Sequence, residues 1–119
     1  MYKPWTEMTK DLSQMLKEVR TGTPDTMSAF SALAKAALAP KALDTKTKEL
    51  LALGISVAIR CDACVAFHAE AAVKHGATRE EIMETMGMAI YMGAGPSVMY
   101  AAQAVEAYDQ FVAKSASKA

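Results

Sequence analysis

The stretch that decides the fold is TKTKELLALGISVAIRCDACVAFHAEAAVKHGATREEI, residues 45–82. It reads as helix, turn, helix, turn and the start of a third helix. Asp44, just before it, can cap a helix whose charges (Lys46, Lys48, Glu49) are confined to the first turns and whose remainder is almost uniformly apolar. A helix apolar all round belongs in a core or an interface. The next helix opens near Cys61 or Asp62 and runs to His75, with Gly76 as the C′ stop; a histidine in that last turn suits the helix dipole better than catalysis. Thr78 followed by Glu81 is a capping box that opens another helix.

Working outward, Trp5, Met8, Leu12, Met15, Leu16 and Val19 fall at helical spacing and Gly22 closes that segment. Thr23-Pro24, cap then N1 proline, begins a helix carrying Met27, Phe30, Leu33, Ala34 and Leu38 that stops before Pro40. On the other side, Ile82, Met83, Met86, Ile90 and Tyr91 form one helix, which Gly93-Ala94-Gly95-Pro96 should break. A final helix is expected from about Pro96 to Phe111, with KSASKA as a frayed tail. No strand pattern occurs. The expectation is one domain over residues 1–119, an all-α compact bundle of about six helices.

Thirteen basic and thirteen acidic residues give a net charge of zero, and no basic cluster is interleaved with aromatics, so a nucleic-acid partner is not expected. Low net charge does little to keep chains apart, and 52% hydrophobic residues with nine methionines favour a homo-oligomer. Met83, Met86, Met88, Met92 and Met99 belong in the core or at such an interface. Tyr2 and Trp5 either anchor the first helix or pack across a subunit boundary. MYKPWTEMTK lacks the apolar stretch of a secretory signal and no run is long enough to span a bilayer, so a cytoplasmic protein without a membrane partner is expected.

The chemistry sits in RCDACVAFH, residues 60–68, which holds both cysteines of the chain. Thiols in the first turn of a helix meet unpaired N–H groups and the positive end of the dipole, which favour the thiolate. Cys61 and Cys64, at i and i+3, are close enough to form a disulfide, and His68 lies four residues after Cys64 on the same helix face. That divides the roles: Cys64 as attacking thiolate with a base beside it, Cys61 at the helix edge as resolving thiol. Glu49 is the group that could orient His68, provided the two helices fold back as a hairpin; a neighbouring subunit could supply the carboxylate instead. Two other readings stand beside this one. The four residues could form a Cys₂HisGlu zinc site in a structural helical oligomer, or the cysteines could simply be packed.

The combined pattern resembles the alkylhydroperoxidase D-like branch of the carboxymuconolactone decarboxylase family: Glu49 twelve residues before the first cysteine, C-x-x-C-x-x-x-H, then HGAT with an acidic helix start, and GAGPSVMYAAQA beyond. The likeness covers roughly residues 24–112. It implies an all-helical subunit that assembles into homotrimers or homohexamers. The implied enzyme is a thiol peroxidase, with Cys64 reducing a hydroperoxide, Cys61 resolving, and Glu49 and His68 as proton relay. An external dithiol, a lipoylated or thioredoxin-like protein, would return the pair to its reduced form, and no cofactor or metal is implied. Alkylhydroperoxidase D proper has a histidine where this chain has Ala63. Decarboxylase members lack the cysteine pair, which argues against lactone decarboxylation here; a decarboxylase-like proton-transfer enzyme acting on a small carbon acid is the further alternative that the family name carries.

Overall fold

A computed structural model describes residues 1–118. It contains five helices: α1 (Trp5–Gly22), α2 (Pro24–Leu38), α3 (Thr45–Ala58), α4 (Asp62–Lys74) and α5 (Arg79–Ser117). The expected caps form at two of them. Asp44 accepts from the Thr47 N–H at the start of α3, and Thr78 with Glu81 completes the reciprocal capping box of α5. At α2 the proline sits at the helix start as anticipated, but the Thr23 hydroxyl donates back to Val19 in α1 and caps nothing.

Two boundaries differ from the sequence reading. The two helices expected on either side of Gly93–Pro96 run on as one element, interrupted only at Ala94, whose φ of 57° and ψ of −145° are non-helical. The breaker therefore bends the chain without inserting a loop. Pro96 supplies no N–H, and the bend spares it the carbonyl it would otherwise strike. Gly93 allows the close approach inside the bend: a Cβ there would lie 1.8 Å from Ser97 Oγ. The second difference is the tail. The helix continues past Phe111 to Ser117 because no glycine or proline stops it, and Lys114 suits the dipole of its last turn. Ala119, the end of the KSASKA segment, lies outside the described residues.

The core is built mainly from α3, α4 and α5. Leu53 and Val57 of α3, Val65 and Ala69 of α4, and Ile82 and Ala104 of α5 are fully buried. Many of the buried positions are alanine, which lets helix backbones approach closely. Trp5 closes this core as a fully buried side chain of α1, so it anchors that helix within its own chain. The Tyr108 hydroxyl donates to the Ala77 carbonyl at 2.7 Å and ties α5 to the turn that precedes it.

α3 is not buried all round. Glu49, Leu53, Ser56 and Val57 face inward, while Leu51, Ile55 and Ile59 are exposed. Its outer face and α5 residues including Met88 and Met92 line an apolar groove of about 380 Å³. α2 buries no residue, leaving Phe30 and Leu33 in solvent. The surface of 7437 Å² exceeds the roughly 6,200 Å² expected of a folded monomer of this mass.

Candidate active site

α3 and α4 form the hairpin that the site requires. The turn between them is a Schellman closure: the Cys61 N–H donates to Ser56 O and the Arg60 N–H to Val57 O. Its left-handed position is Arg60, with φ of 60°. The same closure at the end of α4 uses Gly76, with φ of 80°, for the Gly76 and Ala77 N–H groups. A non-glycine residue held left-handed costs about 1–2 kcal/mol, so the turn entering the cysteine pair carries strain that the turn leaving α4 does not.

Cys61 is the N-cap of α4, and its sulfur accepts the Cys64 N–H at 3.2 Å. The two cysteines are joined in a disulfide with Cα atoms 5.2 Å apart. Both are half-buried, so the expected contrast between an exposed Cys61 and an enclosed Cys64 is not seen. A sulfur at this position faces the unpaired N–H groups of the helix start, and either thiolate released by reduction gains from them.

One turn further along α4, His68 Nδ1 donates to Glu49 Oε1 at 2.8 Å. Glu49 is 4% exposed, and a carboxylate so deeply placed requires a partner. An ionised carboxylate can only accept, which fixes the Nδ1–H tautomer of neutral His68 and leaves Nε2 free to take or give a proton. The contact is direct and within one chain. Neither a bridging water nor a neighbouring subunit is needed to bring this carboxylate to the histidine. Cys64 and His68 are both within α4, at i and i+4 on one face. His75 is the C-cap of α4, away from this group.

Among the described residues, no group of three or more His, Cys, Asp and Glu side chains converges as a metal-ligand set. The disulfide withholds both thiolate donors in the oxidised pair; in the reduced pair Cys61, Cys64, His68 and Glu49 would be the residues to hold a zinc ion.

Sequence reasoning missed a second polar network on the other flank of the pair. Asp62, the first residue of α4, is ion-paired with Lys3, and the Lys3 ammonium also donates to Gln103 Oε1 at 2.8 Å. The hydrogen bond from Lys3 holds the Asp62 carboxyl below its ordinary range, and interaction with that carboxylate raises the Tyr100 phenol. Lys3 lies 59 residues from Asp62 in sequence, so no local pattern announces their contact. The Asp62 position between two cysteines was the one available signal. No helix among the described residues is long and apolar enough to cross a membrane.

Residues 24–107 match the carboxymuconolactone decarboxylase family. An uncharacterized protein of Cupriavidus necator is 39% identical over 109 residues, covering 86% of this chain and 96% of that protein. One of Haemophilus influenzae is 38% identical over 108 residues, covering 91% and 96%. Among solved structures, a carboxymuconolactone decarboxylase family protein of Legionella pneumophila in its apo form superposes with a TM-score of 0.87 at 50% identity, over 90% of this chain and 96% of that one. A family protein of Thermotoga maritima superposes with a TM-score of 0.82 at 28% identity, over 94% and 95%.

Proposed function

The chain belongs to the carboxymuconolactone decarboxylase family, and we propose that within it this protein is a thiol-dependent peroxidase of the alkylhydroperoxidase type, or a disulfide reductase using the same machinery. The observation that carries this reading is the direct Glu49–His68 hydrogen bond, one helical turn from a cysteine pair already joined as a disulfide. The suggested involvement of the Thermotoga maritima relative in an antioxidative response agrees with it.

In this mechanism the Cys64 thiolate attacks the terminal oxygen of a hydroperoxide. The O–O bond breaks, Cys64 becomes a sulfenic acid, and the departing alkoxide takes a proton from His68 and leaves as the alcohol. Glu49 stabilises the imidazolium that His68 must become before it donates. The Cys61 thiol then displaces hydroxide from the sulfenic sulfur, releasing water and forming the Cys61–Cys64 disulfide. An external dithiol, from a lipoylated or thioredoxin-like protein, attacks Cys61 Sγ. Cys64 leaves as the thiolate, and the donor's second thiol completes the exchange. The abundance of this donor in a reducing compartment suits a cytoplasmic protein.

The exposed faces of α2 and α3 and the apolar groove do not include the cysteine pair, and they suit contact with further copies of the chain as a homotrimer or homohexamer. The enzymatic reading is tested by thiol-dependent hydroperoxide consumption. Wild type should turn over with dithiothreitol or a lipoylated domain as donor, Cys64→Ser should abolish turnover, and wild-type rates in that variant would refute it.

A further inference from the structure

Segments that precede a first helix are ordinarily loose unless something ties them down. Here residues 1–5 are strapped across the C-terminal half of α5. The Tyr2 and Lys3 N–H groups donate to the Glu106 carboxylate at 2.7 and 2.9 Å, and the Trp5 indole N–H adds a third bond to it at 2.8 Å. The Trp5 backbone N–H donates to Gln110 Oε1, and the Gln110 amide donates back to the Lys3 carbonyl, both at 2.8 Å. The buried Trp5 ring fixes the far end. What this strap delivers is the Lys3 ammonium, set between the Tyr2 and Trp5 rings at 5.4 and 5.5 Å and ion-paired with Asp62.

Asp62 stands in a conflicted place. A carboxylate in the first turn of a helix is favourable for the helix, but the same few N–H groups and the same dipole are what stabilise a thiolate at Cys61 or Cys64. A like charge one residue from Cys61 opposes that ionisation. Around the helix start, α3 contributes Glu49, α4 contributes His68, the strained turn contributes Arg60, and α5 contributes Tyr100 and the neutral Gln103. Lys3 is the cation in contact with Asp62.

We propose that residues 1–5 are a charge clamp on the redox turn, in which Lys3 neutralises Asp62 so that the neighbouring cysteines ionise as though no carboxylate lay between them. Lys3 is thus a positioning residue that acts through Asp62. It lies before residue 24, outside the segment that matches the family. The clamp gives the thiol chemistry proposed above its working pH, yet its test needs no peroxide.

The test is the pH dependence of iodoacetamide alkylation of the fully reduced, full-length protein in four variants, with Trp5, the single tryptophan, reporting by fluorescence that the strap is in place. Lys3→Met leaves one net negative charge at the turn and should raise the alkylation midpoint by about half a pH unit, a modest shift for a partly exposed pair. Asp62→Asn should lower it. The double variant, neutral again, should return to the wild-type midpoint, and Lys3→Arg should stay there. Equilibration with glutathione should show the Lys3→Met disulfide about threefold harder to reduce at neutral pH, the same half unit expressed as a ratio. Midpoints unchanged across the set, or a double variant shifted as far as Lys3→Met alone, would overturn the clamp and leave Lys3 a structural strap residue. Should Lys3→Met not fold, Asp62→Asn and Lys3→Arg decide: a midpoint lowered in Asp62→Asn and unchanged in Lys3→Arg supports the clamp, and an unchanged Asp62→Asn midpoint overturns it. Midpoints that follow the net charge in a protein that consumes no hydroperoxide would support the clamp while refuting only the peroxidase reading.

Discussion

Replacing Glu49 with glutamine keeps the size of the side chain and an oxygen that can accept from His68, and removes only the charge. The hydrogen bond from His68 Nδ1 at 2.8 Å ends on the Glu49 side chain, which is 6% exposed. Hydrogen bonds to charged groups contribute about 1.5–3 kcal/mol, against about 0.5–1.5 kcal/mol for neutral ones. The His68 side chain is 32% exposed, so water replaces part of what the charge supplied. The imidazolium formed during turnover should therefore lose about 0.7–1.5 kcal/mol. At about 1.4 kcal/mol per decade, Glu49→Gln should slow the proton-coupled step between about 3- and 12-fold. The assay is a single-turnover stopped-flow measurement of reduced protein with one equivalent of hydroperoxide, following disulfide formation. His68→Gln should show a comparable or larger loss, and the double variant should be no slower than His68→Gln, because the two residues act as one unit. A Glu49→Gln rate within twofold of wild type, or losses that simply multiply in the double variant, would refute the relay.

Other outcomes follow from the same geometry. Gly→Ala within a helix usually stabilises by up to about 1 kcal/mol, but Gly93→Ala should destabilise by about 1–3 kcal/mol, because the new Cβ would lie 1.8 Å from Ser97 Oγ and 2.9 Å from Ser97 Cβ. Thermal melting checks the sign, and added Ser97→Gly should recover part of the loss. The carboxyls of Asp44, Asp62, Glu81 and Glu106 are all held below their ordinary range, chiefly by Thr47, Lys3, Lys46 and the Tyr2 N–H respectively. Each stabilises the fold fully above its unfolded pKa and loses that contribution as pH falls through its folded value. The melting temperature should thus hold from pH 7 to about 5 and drop below about pH 4; a rise on acidification would contradict it. Light scattering should find wild type as a multiple of the 12.7 kDa chain and Ile55→Lys, on the exposed face of α3, shifted toward monomer. A monomeric wild type would remove the assembly proposal.

Much of the fold was legible because its signals are local. Asp44, Thr78 with Glu81, and Gly76 each act within four residues of themselves, and each does in the structure what its type predicts. At Ala94 the sequence alone reads as a full break because Gly93, Gly95 and Pro96 argue against helix, while the packing that carries one helical arm into the next is long-range. KSASKA reads as a frayed tail, yet nothing in it opposes helix. For the site, Glu49 and His68 were reachable because a hairpin through the Ile59–Cys61 turn folds α4 back along α3. Lys3 was not, since only the docking of residues 1–5 on Glu106 and Gln110 brings it to Asp62. The outer face of α3 was correctly marked as apolar, but its division into a core side and an exposed side depends on which helices pack against it.

In the proposed mechanism Cys64, beside its histidine, attacks and Cys61 resolves. Mass spectrometry of reduced Cys61→Ser and Cys64→Ser proteins, after one equivalent of hydroperoxide with a sulfenic-acid trap present, separates the two roles. Trapping should be rapid on Cys64 in Cys61→Ser, with little or none on Cys61 in Cys64→Ser. Equal or faster trapping on Cys61, the thiol that caps the helix, would overturn that division of roles.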